Sequence, residues 1–201
     1  MRTKFHYTLP LTLTALIAAW QIAAGHPGNT SLAIWAYTFG FGVLLVASLW
    51  LILMGLEVLS HPAGVLISAL IPLSISLGLV TEYALAFTWV YLGFVLVGWL
   101  GIAITRFMRV HPPLRIGAVA FTHGVAGFSI VGLPLVALCQ GQAGPFILGV
   151  SVGGAVISLS GMLLLWQRMG RLWSKWRDPL SVLPWSLLLS TFCLVIGLNL
   201  R

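Results

Sequence analysis

Seven apolar runs, each close to the length of a bilayer-spanning helix, follow one another along the chain with little sequence between them. A spanning helix needs ~20 mostly apolar residues, because each residue adds ~1.5 Å toward a hydrocarbon core ~30 Å thick. The runs are Leu9–Ala24, a run within Leu32–Leu59, Gly64–Val80, Tyr83–Thr105, Ile116–Leu138, Phe146–Gln167 and Leu180–Leu200. This pattern predicts an all-α, polytopic transmembrane helical bundle with seven spans, formed by residues 1–201 as a single domain.

The composition excludes a water-soluble fold. Only 6% of the residues are charged and 60% are hydrophobic, whereas a soluble domain carries about 25% charged residues. Too few polar side chains are present to cover a surface in water, so we expect the lipid bilayer to be the partner of the apolar faces. The net charge of +7 does not indicate a nucleic-acid partner, because the basic residues form short clusters between the apolar runs.

The basic clusters predict the orientation of the chain, since cytoplasmic loops of membrane proteins are enriched in Lys and Arg. Seven alternating spans that begin in the cytoplasm place every basic residue except Arg201 on the cytoplasmic side. These residues are Arg2, Lys4, Arg106, Arg109, Arg115, Arg168, Arg171, Lys175 and Arg177. We therefore predict a cytoplasmic N-terminus, an outside C-terminus and a multi-pass protein of the plasma membrane, the inner membrane of a bacterium.

The first run has a second interpretation. Arg2-Thr3-Lys4, the apolar stretch and Ala23-Ala24-Gly25 have the pattern of a secretory signal peptide, whose removal would leave six spans. Trp20 and Gln21, which lie just before that site, favour a retained helix. The sequence leaves both alternatives open.

Small residues at helical spacing predict where helices pack closely. Lipid tails are as apolar as leucine, so helices associate in a bilayer through tight contact between small side chains. The fifth run carries Gly117, Ala120, Gly124 and Gly127, and the sixth carries Gly149, Gly153, Gly154, Ser158 and Gly161. We expect the fifth and sixth spans to contact each other through these faces, which are also candidate surfaces for a homo- or hetero-oligomer.

Proline marks both the starts and the interiors of three helices. The pairs His61-Pro62, His111-Pro112 and Asp178-Pro179 precede the third, fifth and seventh runs, and proline favours the first helical position. Within the same runs lie Pro72, Pro134 and Pro184, each of which removes one backbone hydrogen bond. The hydroxyls of Ser68, Ser74, Ser76 and Ser186 lie nearby, and we expect them to satisfy the freed carbonyls rather than to form a binding site.

Ionisable side chains at membrane depth are costly and are functional candidates by default. His123 lies seven residues into the fifth run, and it could ligate haem, carry a proton or hydrogen-bond a neighbouring helix. Glu57 and His61 would share one helix face if the second helix continued through them. As a pair they could bind a proton, a cation or an amine, and the alternative is a solvated pair at the headgroups.

Two deep tryptophans and two turn residues complete the candidates. Trp50 and Trp99 lie within the second and fourth runs, where they either line a substrate cavity or pack the helix interfaces. Glu82 and His26 lie in turns, and Glu82 is predicted to be exposed. No HExxH, CxxC or Asp-rich metal motif occurs in the sequence.

Two functional hypotheses follow. The first is a small permease, a channel or a membrane subunit of a transport system for a small neutral or weakly charged solute. Its candidate substrate or proton residues are Glu57, His123, Trp50 and Trp99. The alternative is an anchor subunit of a redox complex that binds haem or quinone through His123 and His61, which requires His61 to be at least half buried if both ligate one haem. No catalytic residue is assigned, and an enzymatic function is less favoured.

Overall fold

The computed structural model describes residues 2–26, 30–108, 110–168 and 179–200, and all regular structure in these ranges is helical. The long helices are α1 (Arg2–Ala24), α2 (Ser31–Met54), α3 (Pro62–Tyr83), α4 (Thr88–Phe107), α5 (Pro112–Cys139), α6 (Leu148–Arg168) and α7 (Pro179–Asn199). Short 3₁₀ turns at Leu56–Ser60, Leu85–Phe87 and Pro145–Ile147 precede α3, α4 and α6. All seven helices are long and apolar enough to cross a bilayer, which confirms the predicted seven-span bundle.

Local sequence explains where the helices begin. The hydroxyl of Thr30 accepts a hydrogen bond from the backbone N–H three residues later, at 3.2 Å, and so caps α2. Pro62 and Pro112 are the first residues of α3 and α5, as predicted. Helix α7 begins at Pro179, also as predicted, whereas Asp178, the residue before it, lies outside the described residues.

The second helix ends earlier than the apolar pattern suggested. Gly55 has a φ of 82°, a conformation that glycine adopts without steric cost, and it stops α2 at Met54. The chain then forms the 3₁₀ turn that contains Glu57. The condition under which Glu57 and His61 would share one helix face, a second helix that continues through both, is therefore not met.

Six of the helices form a closed ring. In the order α1, α2, α3, α5, α6, α7 each helix packs against the next, and α7 returns to α1. Helix α4 lies outside the ring, against α3 and α5. This position explains why only 11% of the α4 span is buried, compared with 67% of the α3 span.

The ring consists of two three-helix units, α1–α3 and α5–α7, that run in the same direction. Consecutive helices are antiparallel, so α4 returns the chain to the end at which the first unit began. The two units meet at two contacts between parallel helices, α3 with α5 and α7 with α1. If α1, α2 and α3 are exchanged with α5, α6 and α7, each helix keeps equivalent neighbours in the ring. We call the end where α1, α3, α5 and α7 begin the basic end, and the opposite end the far end.

Apolar side chains fill the ring toward the far end. The cluster draws on every ring helix and includes Ala18, Phe41, Leu79, Ile130, Val150 and Leu194. Phe41 and Leu79 have no exposed surface. A second, smaller cluster of Val65, Leu66, Ala69 and Ile102 lies between α3 and α4.

Gly149 and Gly153, which lie four residues apart on α6, pack against α7 rather than α5. A Cβ added at Gly153 would lie 2.7 Å from the carbonyl oxygen of Ser190, and one added at Gly149 would lie 2.7 Å from that of Cys193. The Ser190 hydroxyl donates to the Gly153 carbonyl at 2.8 Å. Contact between α5 and α6 uses Gly154, whose added Cβ would lie 2.5 Å from Ile130, and Gly127, whose added Cβ would lie 3.0 Å from the Ser158 hydroxyl. The predicted contact between spans five and six therefore forms through part of the small-residue faces, whereas Gly149 and Gly153 belong to the α6–α7 interface.

The hydroxyls near the internal prolines bond to carbonyls of their own helices. Ser68 donates to Val65, Ser76 to Leu73 and Ser186 to Leu183, at 3.0, 3.0 and 2.9 Å. Pro72 and Pro184 free the carbonyls four residues earlier, which are not the carbonyls that accept these bonds. Ser68 and Ser186 therefore satisfy their hydroxyls within their own helices, whereas Ser76 is also a hydrogen-bond partner of the Tyr91 hydroxyl on α4.

We expect Gly153→Ala to destabilise the protein, because the added methyl group meets the α7 backbone and overpacking costs about 1–3 kcal/mol. Gly161→Ala is the matched control on the same helix, since its added Cβ meets no atom within 4 Å. Thermal unfolding of the purified variants in detergent measures both. A Gly153→Ala protein as stable as Gly161→Ala would contradict the α6–α7 packing.

Candidate functional site

A polar cluster joins four helices and a turn at the far end of the ring. It consists of Gln21 on α1, His26 in the following turn, Tyr37 on α2, Glu82 on α3 and Asn199 on α7, and we call it the far-end cluster. All five residues are buried or half-buried. Polar side chains enclosed by membrane helices are functional candidates, because burial without partners would be costly.

The hydrogen bond between Tyr37 and Glu82 is the centre of the cluster. The Tyr37 hydroxyl donates to Oε2 of Glu82 at 2.9 Å. Tyr37 is fully buried, and Glu82 lies in the last turn of α3. The bond therefore ties the first half of α2 to the end of α3 through a phenol and a carboxyl group.

Gly78 makes this bond possible. It precedes Glu82 by four residues, so both lie on one face of α3. The Tyr37 ring rests directly on the Gly78 backbone, since an added Cβ there would lie 2.7 Å from Cδ1 and Cζ of the ring. With no side chain in the way, the ring crosses α3 and its hydroxyl reaches the carboxylate one turn further on.

His26 packs against the same tyrosine. Its ring centroid lies 4.8 Å from that of Tyr37 and 5.4 Å from that of Phe41. Only 8% of His26 is exposed. His26, two residues after the end of α1, thus places an imidazole next to the phenol that hydrogen-bonds Glu82.

Two amide side chains close the contact between the first and last helices. The Asn199 side-chain amide donates to Oε1 of Gln21 at 2.6 Å and to the Val195 carbonyl at 2.8 Å. The Gln21 amide donates to the carbonyl of Gly25 at 3.0 Å. This last bond links the amide pair to the residue just before His26, whose ring packs against Tyr37.

The expectation that Glu82 is an exposed turn residue is wrong. Glu82 lies within α3, which continues to Tyr83, and is half-buried. His26 does follow α1 outside a helix, but its ring is buried against Tyr37 and Phe41 of α2. The sequence did carry one signal for this site, the spacing of Gly78 and Glu82 on one helix face, but nothing in it identified Tyr37 as the partner.

His123, the strongest candidate from sequence, lies apart from this cluster. Its Nδ1 is 3.1 Å from the Val119 carbonyl of its own helix, and the side chain is half-buried on α5. Among the described residues no group of three or more His, Cys, Asp or Glu is arranged to hold a metal ion. The roles predicted for His123 stay predictions, with quinone or haem binding testable by an absorption spectrum.

The Glu57 and His61 side chains are both exposed at the basic end. His61 caps α3, with its Nδ1 accepting from the Ala63 N–H at 3.3 Å. One haem held between His61 and His123 would require His61 to be at least half buried, and the His61 side chain is exposed. Glu57, in the 3₁₀ turn, fits the solvated interpretation rather than a buried ion pair.

The tryptophans differ in their surroundings. The Trp99 indole N–H donates to the Leu66 carbonyl at 3.3 Å, and its ring packs on the cluster between α3 and α4. This contact matches the packing interpretation of Trp99 rather than a cavity lining. Trp50 is half-buried on α2, and its proposed role with substrate stays a prediction.

No protein-family model, curated protein or solved structure matches this chain. Its function must therefore be argued from its own helices and side chains.

We expect the Tyr37→Phe and Glu82→Ala substitutions to be coupled. Removing both should cost about 0.6–1.7 kcal/mol less than the sum of the single changes, the range found for hydrogen bonds between membrane helices. Unfolding in detergent measures this cycle, and the pair Tyr37→Phe with Glu57→Ala is the control. A coupling free energy of equal size in both pairs would contradict a direct hydrogen bond between Tyr37 and Glu82.

We expect Gly78→Ala to remove that coupling while leaving both partners in place. The added methyl occupies the space of the Tyr37 ring, so the hydroxyl can no longer reach Glu82. In the Gly78→Ala background the Tyr37–Glu82 coupling should fall to zero. Gly42→Ala on α2 is the control, because its added Cβ meets no atom within 4 Å, and it should leave the coupling unchanged.

Proposed function

We propose that the protein is a small membrane permease in which the two three-helix units move against each other. The observation that carries this proposal is the ring of two units in the same orientation, joined by a helix that lies outside it. Parallel repeats of this kind, related by an axis along the membrane normal, are one of the architectures of secondary transporters. Alternating access in such proteins is largely a rigid-body movement of one repeat against the other.

The contacts between the units suit such a movement. Across the α7–α1 contact, the side-chain hydrogen bonds among the described residues are those between Gln21 and Asn199, at the far end. Tyr37 and Glu82 connect helices of the same unit. Opening the far end of the ring would therefore break the amide pair and leave each unit intact.

The far-end cluster is the candidate proton-binding site of this permease. A carboxyl group, a phenol and an imidazole lie in succession, and all three types exchange protons. Glu82 is one of three acidic residues in the chain, and ionisable residues enclosed by membrane helices commonly belong to proton relays. A change in the protonation of Glu82 would alter its bond to Tyr37, and with it the contact of α2 with α3.

The substrate class follows from the lining of the ring. The interior toward the far end is filled by apolar side chains, among them Phe41, Ile75 and Leu194. Such a lining offers no fixed charge that could pair with an ion. A small neutral or weakly charged solute is therefore the expected cargo, and its passage requires these side chains to move apart.

We expect proteoliposomes with a pH-sensitive dye inside to report a change of internal pH when one class of solute is added outside. The panel comprises sugars, polyols, amino acids, amines and short monocarboxylates, each compared with protein-free vesicles. Glu82→Gln keeps a hydrogen-bond acceptor but cannot ionise, so it should reduce the pH change to the level of protein-free vesicles. Glu57→Gln, the exposed acid, is the matched control and should retain it.

Two results would count against the proposal in different ways. If no solute in the panel crosses faster than in protein-free vesicles, the transport function is wrong. If a solute crosses and Glu82→Gln carries its proton at the normal rate, the permease stands and the far-end cluster is not its proton site.

A further inference from the structure

A pocket of about 580 Å³ lies at the basic end, where the chain passes from α4 to α5. Its lining consists of Arg106, Phe107, Met108, Val110, His111, Pro112 and Arg115. The pocket faces outward, because α4 lies outside the ring. It belongs neither to the far-end cluster nor to the interior of the ring.

The polar part of this pocket is basic. Arg106 and Arg115 supply two guanidinium groups, and His111 adds an imidazole. None of the described lining residues is acidic. Guanidinium groups bind phosphate through paired, planar N–H donors, so this part of the pocket suits a phosphate group.

The start of α5 contributes little to anion binding through its backbone. Pro112 and Pro113 have no N–H, and the next two N–H groups, of Leu114 and Arg115, donate to the His111 carbonyl at 3.1 and 3.3 Å. The usual donors of a helix N-terminus are therefore absent or engaged. Recognition of an anion at this position depends on the arginine side chains.

The remaining lining is apolar and open to the lipid. Phe107 is 68% exposed and Met108 is 63% exposed. The α4 span ends at Phe107 and the α5 span begins at Pro112, so the pocket lies at the depth of the headgroups. A ligand here meets arginines at its charged end and apolar side chains along the membrane.

We propose that this pocket binds the phosphate headgroup of an anionic phospholipid, with its acyl chains lying beside Phe107 and Met108. A positive-inside bias accounts for the sign of the charge at this turn but not for a cavity that combines two arginines with exposed apolar side chains. A dissolved phosphate ion would leave the apolar half of the lining unused. A phospholipid matches both halves.

The test uses delipidated protein in neutral detergent, titrated with dioleoylphosphatidylglycerol and followed by native mass spectrometry. Dioleoylphosphatidylcholine is the neutral comparison, and inorganic phosphate is the soluble competitor. A basic residue near an anionic surface contributes about five-fold in affinity. Arg106→Gln with Arg115→Gln should therefore weaken the tightest phosphatidylglycerol site roughly 25-fold.

The matched control is Arg2→Gln with Lys4→Gln, which removes the same charge from the same end of the bundle. It should change the affinity by less than about two-fold. Because Arg115 is exposed, Arg115→Gln alone should fold normally and show about a five-fold loss. Size-exclusion profiles confirm folding for each variant.

Three results would overturn the proposal. Equal losses in the double variant and its control would mean that surface charge, rather than the pocket, attracts the lipid. Equal affinity for the two lipids would mean that the headgroup charge is not recognised. Displacement of phosphatidylglycerol by millimolar inorganic phosphate would assign the site to a soluble anion.

Discussion

Close backbone contact between helices is the constraint on which this bundle depends. In a bilayer the burial of apolar side chains favours neither the associated nor the separated helices, so association must come from tight packing and interhelical hydrogen bonds. The α6–α7 pair meets this need with Gly149 and Gly153, where the α7 backbone comes within contact of α6. The α2–α3 pair meets it with Gly78, on which the Tyr37 ring lies. With Gly154 against Ile130 between α5 and α6, glycine sets the ring geometry at three of its six contacts.

Polar side chains within the spans differ in whether they bond within their own helix or to another helix. Most hydroxyls, such as those of Thr14 and Ser48, bond to a carbonyl one turn earlier on their own helix. This arrangement satisfies the group and adds no link between helices. The far-end cluster instead joins side chains from distant parts of the chain, and it contains the types of group that exchange protons. The far-end cluster also lies over the apolar interior of the ring, and for these reasons it is the candidate functional site.

Periodic and local features of the fold could be predicted from the sequence, whereas pairings between distant segments could not. Seven apolar runs predict seven helices, because hydrocarbon thickness fixes their length. The spacing of Gly149 and Gly153 identifies a packing face but not whether α5 or α7 occupies it. The apolar pattern does not reveal the positive φ at Gly55 that ends α2, so it leaves open whether Glu57 and His61 lie on one helix. Tyr37 and Glu82 are 45 residues apart, and no local rule connects them.

The position of α4 has a consequence for how such a chain can arise. A segment with an odd number of crossings ends on the opposite side of the membrane from where it started. Tandem duplication of a segment with three crossings would therefore give the second copy the opposite orientation in the membrane. One additional crossing restores the orientation, and it needs only to be apolar and of sufficient length. A helix outside the ring, of whose span only 11% is buried, meets that requirement.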